Sequence, residues 1–274
     1  MPDNVTRLPS EPRYITPVLA AIGAQAAAAD ASRSVDAAVI AAIKSNDVMR
    51  LSASPELSGL NESIVVIADE LRAVAPRCTS TAWCLWNHLC TFHLFCGVLG
   101  PEYAEFLRGI TQRREWVCFP AGASSSVEYR HDGDEIVLNG SAAFGSGARY
   151  ADWAGVILKP GAGAPDLHDP NVRIDPTWEA MSVRASATDH IYYEEVRVAA
   201  GRVVPFPVPT RIAFRAPDTP VVHPRYREDW VALSVLWLGA MACGLAETSL
   251  EETAASIRER IAIFGTKMVE RPTI

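Results

Sequence analysis

The sequence lacks any run of 18 uncharged apolar residues. Its best stretch, 231–245, is short and follows Arg227, Glu228 and Asp229, so no membrane span is expected. It also lacks an apolar signal core. The opening MPDNVTRLPSEPR is polar, which points to a cytoplasmic protein rather than a secreted one. Basic residues are few: 25 Lys and Arg stand against 32 Asp and Glu, a net charge of -7, and they are scattered. A nucleic-acid-binding face is therefore not expected. No C-x-x-C is present. Four of the six cysteines, Cys78, Cys84, Cys90 and Cys96, recur every six residues. On a helix that spacing advances by about 600°, so the thiols face different ways and do not converge on a metal. They read as small buried apolar residues in a reducing compartment, with no metal site.

What is present is ordinary for a globular protein: 49% hydrophobic and 21% charged residues in 274, enough for a large core. The pattern changes twice along the chain. Residues 15–114 are helical in character. An Ala-rich stretch leads into a stripe of Val35, Ala38, Val39, Ala42 and Ile43. The loop SASPELSGLN follows, and Asn61 is placed to cap a helix whose Ile64, Ile67, Ala68 and Leu71 share a face, with Pro76 ending it. Residues 79–98 are apolar nearly all round, which predicts a helix buried at the centre of its domain. A short helix over 101–110 follows. From 116 to about 217, Gly and Pro become frequent and runs alternate. SSVEYRHDGDEIVLNGSAAF predicts two strands around Asp132-Gly133-Asp134, with further strands at 154–158 and 187–198. From 224 the chain is helical again. Residues 230–260 contain no Pro, and Gly239 and Gly244 would let another helix approach closely. One long helix cannot bury its own apolar face, so another copy, another chain or further sequence is expected to cover it. The reading is an α+β chain: an N-terminal helical domain (1–114), a middle β-barrel or sandwich domain (115–222) and a partial C-terminal helical bundle (223–274).

Three stretches together resemble the acyl-CoA dehydrogenase superfamily. Residues 33–83 are similar to its N-terminal helices, ending in the Ser80-Thr81-Ala82-Trp83 opening. GDEIVLNGSAAFGSGARYADW (133–153) resembles its middle-domain signature, a G-D-x-Y-x-L-N-G hairpin followed by an aromatic residue, a Ser-rich turn and Ala-Asp. MSVRASATDHIYYEEVRV (181–198) resembles the segment that precedes a Val-rich strand, and LGAMACGLAETSLEE resembles the first long bundle helix. The sequence departs from the pattern at Glu56-Leu57-Ser58-Gly59, where the family has Tyr/Phe-Gly-Gly, and at Val198-Ala199, where it has Val-Pro. The remaining bundle helices of the family are not in the sequence, which reads as C-terminally truncated.

Two branches of the superfamily compete. Phe144-Gly145-Ser146-Gly147 with Ala151-Asp152-Trp153 looks more like group D, the two-component flavin monooxygenases. So does Ser80-Thr81-Ala82-Trp83 followed by His88 and His93. Arg184-Ala185-Ser186-Ala187-Thr188 is closer to the dehydrogenases. The monooxygenase resemblance implies a hydroxylase of a small, aromatic substrate. Its FMN or FAD would arrive reduced from a separate flavin reductase. The alternatives are an acyl-CoA dehydrogenase-like oxidoreductase subunit, or a non-catalytic scaffold needing a partner chain. The assembly is expected to be a homo-oligomer, or to include a chain supplying the missing helices.

The resemblance also implies roles. Phe119, Ala121 and Ser124 fall where the family's first flavin-contacting loop lies. Phe144 would flank the ring, and Ser146 would offer its hydroxyl near N5. Arg184 would meet a phosphate or carboxylate, with Ser186 and Thr188 as donors. Trp83, His88 and His93 would line the substrate pocket, with Ser146 and His93 catalytic. Histidine titrates near working pH and can take a proton from a phenol. His88 and His93 are five apart on one helix, so they diverge by about 140° and at most one faces a shared pocket.

Overall fold

The computed structural model describes residues 11–120, 126–158, 161–163, 165–199, 202–205 and 220–260. Helix α1 (Thr16–Ser32) begins at a proline-assisted first turn. The fully buried Glu70 carboxylate holds the segment that leads into that turn, accepting from the backbone N–H groups of Arg13 (2.5 Å), Tyr14 (3.1 Å) and Ile15 (2.8 Å). A carboxylate facing a helix N-terminus satisfies donors that have no partner within the helix. Asp36 caps α2 (Ala37–Ser45), and the buried face there is Val39, Ile40 and Ile43, with Ala38 left in solvent. Helix α3 (Ile64–Val74) is capped by Ser63, not by Asn61: Ser63 Oγ accepts from Val66 N at 3.3 Å. Asn61 lies in the left-handed region (φ 52°) and is committed to the preceding loop. Its N–H donates to the Ala53 carbonyl, and its side chain accepts from Arg225.

Helix α4 (Thr79–Leu99) is buried over most of its circumference, as its nearly continuous apolar sequence requires. Helix α5 (Ala104–Arg113) follows a tight turn at Pro101–Tyr103 and turns Leu107 and Ile110 inward. All six cysteines are free. Burial pushes the thiols of Cys84, Cys90, Cys96 and Cys118 well up, so they remain protonated.

The middle of the chain is a β region. Strands β1 (Val117–Cys118) and β4 (Trp153–Ala154) pair in parallel. Strands β2 (Ser126–Asp132), β3 (Glu135–Gly145), β7 (Val172–Asp175) and β8 (Asp189–Ala199) form an antiparallel sheet in the order β2-β3-β8-β7. Strands β5 (Val156–Leu158), β6 (Gly161–Gly163) and β9 (Val203–Pro205) form a third, small sheet. The run expected as one strand over 154–158 is thus two strands broken at Gly155. The Gly133-Asp134 turn closes the β2–β3 hairpin, with Asp132 opposite Glu135. At Gly140 the backbone has φ 120°, and a Cβ would lie 2.0 Å from the Ser126 carbonyl oxygen, so only glycine fits.

Two bulges bend the β3–β8 pair. At the far end, Asn139 stands opposite both Glu194 and Glu195. At the near end, Ala143 and Phe144 stand opposite His190 alone. The near bulge positions the site described below.

Helix α6 (Trp230–Glu259) is capped by Asp229 and lies on α3 and α4 through Leu233, Trp237, Met241 and Gly244. Three indole N–H groups stitch the layer: Trp237 to the Ile64 carbonyl (3.1 Å), Trp86 to the Ser234 carbonyl (3.1 Å) and Trp230 to the Cys90 carbonyl (2.8 Å). The close approach falls on Gly244, whose added Cβ would meet the Arg72 carbonyl oxygen at 2.3 Å; at Gly239 it would meet nothing. Contrary to the expectation of no span, α6 is long and apolar enough to cross a membrane by length and composition, with a mean hydropathy of 1.6 over its most apolar window. Its buried stripe packs on α3 and α4, while Val235, Leu236, Leu250 and Ile257 are exposed.

Candidate active site

One face of the first turns of α4 holds a strap, 181–188, against the sheet. Ser80 Oγ accepts from Ala185 N at 3.1 Å, and the Cys84 thiol points at the Ser186 carbonyl at 3.2 Å. From the other side, Gly147 N donates to the Ser186 carbonyl (2.8 Å) and Tyr150 Oη to the Ala185 carbonyl (3.2 Å). Burial pushes the Tyr150 hydroxyl up to about 12, so it stays a donor. The strap is strained. Val183 and Ala187 both have φ 46°, and Phe144 beside it has φ 64°. Non-glycine residues in the left-handed region cost on the order of 1 kcal/mol or more each and persist only where neighbours impose them.

Within this frame four of the expected residues come together. Trp83 Nε1 donates to Ser146 Oγ at 2.9 Å. Ser146 Oγ lies 3.1 Å from Thr188 Oγ1, which lies 2.7 Å from Ser186 Oγ. Trp83 packs on Trp86 with ring centroids 5.0 Å apart and planes tilted by 49°, both half-buried, giving an aromatic wall next to the Ser146 hydroxyl. Phe144 lies on β3, two residues before Ser146. The bulge on β3 turns it out of the sheet, leaving it 49% exposed with its ring edge-on to Trp178 and His190. An exposed aromatic ring and a half-buried indole pair bonded to a hydroxyl are groups that suit a flat, polar-edged ligand.

The other expected residues lie elsewhere or do other work. His88 is fully committed. Its Nδ1 accepts from Val117 N (3.1 Å), its Nε2 points at the Met49 carbonyl (3.4 Å), and burial drives its pKa down to about 4. It is a neutral core histidine that joins α4 to β1, not a pocket wall. His93 lies ten residues from Trp83, about 15 Å along the helix. It packs edge-on to Tyr226, and neither ring nitrogen has a hydrogen-bond partner. Glu228 is 3.9 Å away, too far for a hydrogen bond and too exposed to compensate burial. Burial, with Arg225 adding to it, lowers the His93 pKa to about 3. His93 is therefore neutral and separate from Ser146. Phe119 is buried edge-on to Trp230, and its N–H is held by Asn87 Oδ1 at 3.2 Å. Arg184 reaches Asp30 of α1 at 3.8 Å, and its Nε is buried with no hydrogen-bond partner. Ala121 and Ser124 lie outside the described residues.

Asp152 in the Ala-Asp-Trp motif is an anchor. It accepts from Lys44 Nζ (2.7 Å), Trp116 N (2.6 Å) and His168 Nε2 (3.0 Å), tying α2 to β1. Burial alone would raise its pKa, but these three donors hold it below the usual carboxylate range. Sequence reasoning missed Trp178 and His190, which frame Phe144, and Asn87, which fixes Phe119. The i+4 spacing of Trp83 and Asn87 was the one available signal for the last.

The chain has the fold of the acyl-CoA dehydrogenase superfamily, as the three signature stretches implied. A curated relative, cyclohexane-1-carbonyl-CoA dehydrogenase of Geobacter metallireducens, is 23% identical over 92% of this chain and 68% of its own length. Among solved structures, dibenzothiophene monooxygenase from Paenibacillus sp. A11-2 superposes with a TM-score of 0.77 at 19% identity, over 94% of this chain and 67% of that one. XiaF from Streptomyces sp., in complex with FADH2 and glycerol, gives a TM-score of 0.77 at 14% identity, over 93% of this chain and 65% of that one. Methanesulfinate monooxygenase from Pseudomonas fluorescens gives a TM-score of 0.75 at 14% identity, over 90% of this chain and 63% of that one. The chain thus spans about two thirds of the length of these proteins. No protein-family model matches it.

Proposed function

We infer that this chain is a flavin-dependent monooxygenase that uses reduced flavin and oxygen to hydroxylate a small, aromatic substrate. The observation that carries this reading is the hydrogen-bonded chain of Trp83, Ser146, Thr188 and Ser186 at the α4–β-sheet junction, with the exposed Phe144 ring two residues from Ser146. The solved relatives support it: the Paenibacillus enzyme has been seen with FMN and indole, and 3-HSA hydroxylase from Rhodococcus sp. RHA1 shares the fold at a TM-score of 0.73. The residues present fit a flavin ring. A half-buried indole pair and the exposed Phe144 ring would cover its faces, and the Ser146 hydroxyl bonded to Trp83 would meet its edge. Arg184, whose buried Nε makes no hydrogen bond and lies 3.8 Å from the Asp30 carboxylate, offers a cation for a phosphate oxygen.

The bound flavin would supply the electrons and the oxygen chemistry. The chain's own part is to exclude water with the Trp83–Trp86 wall, orient the ring between aromatic faces, and hold a hydrogen bond at the ring edge from Ser146 Oγ. His93, buried against Tyr226 with its pKa lowered by burial, is neutral at working pH and is a weak proton acceptor. In this reading the flavin arrives reduced from a separate reductase, as the group D resemblance implies. The acyl-CoA dehydrogenase-like reading rests on the Geobacter relative. Hydroxylated product from an aromatic substrate with reductase, NADH and air supports the first reading. Electron transfer from an acyl-CoA to an acceptor dye supports the second.

A further inference from the structure

The only side-chain amide on α4 has a spare end. Asn87 is 9% exposed, and its Oδ1 accepts from Phe119 N at 3.2 Å. A backbone N–H can only donate, so the atom bonded to Phe119 is the oxygen and not the nitrogen. Nδ2 carries two hydrogens, and among the described residues it makes no hydrogen bond. Nearly all buried polar groups are bonded, and leaving a buried donor unmet is costly. The fold uses one end of this amide and leaves the other for something else.

Its surroundings are aromatic. Trp83 lies one turn earlier on the same face of α4 and packs on Trp86, both half-buried. Phe119, whose backbone Asn87 holds, is edge-on to Trp230 with ring centroids 6.1 Å apart. Trp230 Nε1 in turn donates to the carbonyl of Cys90, three residues after Asn87. Trp83 also bonds Ser146, so the amide is one helical turn from the candidate site. Two aromatic pairs therefore adjoin a mostly buried donor that has no acceptor of its own. A planar ring carrying an acceptor atom matches that set: the aromatic side chains offer contact area, and the amide offers one directed bond. We propose that Asn87 is a specificity-determining residue that donates from Nδ2 to the acceptor oxygen of an aromatic substrate, such as an aryl ketone or a phenolate. A site with a buried donor disfavours an analogue that lacks the matching acceptor. That this compound is the one hydroxylated rests on the proposed function; that the chain holds it through Asn87 does not.

The test uses the chain labelled with 15N-asparagine, with and without FMN. The Asn87 side-chain amide is assigned as the pair of resonances lost in Asn87→Asp. The probes are acetophenone and α-methylstyrene, which share a shape and differ in one group, a carbonyl against a methylidene. Acetophenone is expected to bind about fivefold tighter than α-methylstyrene, the worth of one hydrogen bond, and to move an Asn87 amide proton downfield. Asn87→Asp keeps an acceptor for Phe119 N and, when ionised, removes the donor. At alkaline pH it is expected to lose the preference for acetophenone, and to regain it as the carboxyl takes up a proton that it can donate. A residue that only held Phe119 in place would weaken both probes alike and show no such recovery. In the wild-type chain, equal affinities, an unmoved Asn87 amide, or no binding of either probe overturns the proposal, whether or not the variant folds. A chain that prefers acetophenone but binds neither FMN nor FAD keeps this inference and loses the functional reading. One that binds flavin but does not discriminate between the probes does the reverse.

Discussion

The two buried histidines make the fold acid-sensitive in a defined window. His88 has its pKa lowered by burial to about 4, and His93, by burial and then by Arg225, to about 3, against 6.5 in an unfolded chain. A folded-state pKa below the unfolded value means that the unfolded chain binds protons first. Stability is then fully present above pH 6.5 and is lost as pH falls, until the folded pKa is reached. Between pH 7 and pH 5, each histidine takes about 1.5 units of that drop, or about 2 kcal/mol at 1.36 kcal/mol per unit, so together they cost about 4 kcal/mol. That is a large part of a typical stability of about 5–15 kcal/mol. Carboxylates with lowered pKa act below this window and do not confound it. The assay is urea unfolding at pH 7 and pH 5, in the wild type and in His93→Leu. The leucine removes one titrating group from a site where it made no hydrogen bond. It is expected to halve the pH dependence, recovering about 2 kcal/mol at pH 5. An unchanged pH dependence in His93→Leu, or a wild-type stability that is flat from pH 7 to pH 5, refutes the reasoning.

Asp152→Asn replaces the acceptor shared by Lys44, Trp116 N and His168, and is expected to cost roughly 2–3 kcal/mol in urea unfolding. Gly140→Ala puts a Cβ onto the Ser126 carbonyl at a φ of 120°, and should lower stability by more than about 3 kcal/mol, read as a loss of soluble folded protein on heating. Trp83→Phe keeps a ring in the wall but loses the N–H to Ser146, so it should weaken flavin binding while leaving the unfolding midpoint within about 1 kcal/mol of wild type. The exposed Val235, Leu236 and Leu250 on α6 predict an assembly larger than a monomer in sedimentation velocity, reduced by Leu236→Glu. A well-folded monomer would contradict that expectation.

The helices were legible because their signals are local. The apolar surround of residues 79–98 marked α4, and the Pro-free stretch from Trp230 marked α6. The hairpin was legible from Asp132-Gly133-Asp134. Caps were less so: Asn61 and Ser63 are both good capping residues, and the choice fell to a contact with Arg225 that is 164 positions away. The stripe over 35–43 missed Ile40 because only tertiary packing tells which alanine faces water. For the site, Trp83, Ser146, Ser186 and Thr188 were legible as parts of separate motifs, but their union through a bulged strand and a strained strap was not. The bulge that exposes Phe144 depends on pairing with His190, a long-range register that no window of sequence contains. His88 misled because a histidine near a motif looks the same in sequence whether its nitrogens are free or spent on Val117 and Met49.

The most direct test of the central claim is an anaerobic titration of the purified chain with reduced FMN and FAD, followed by tryptophan emission. The account predicts saturable binding of at least one reduced flavin, with quenching that is diminished in Trp83→Phe and an affinity lowered about tenfold in Ser146→Ala. Binding unaffected by both substitutions, or no binding of either flavin, would contradict it.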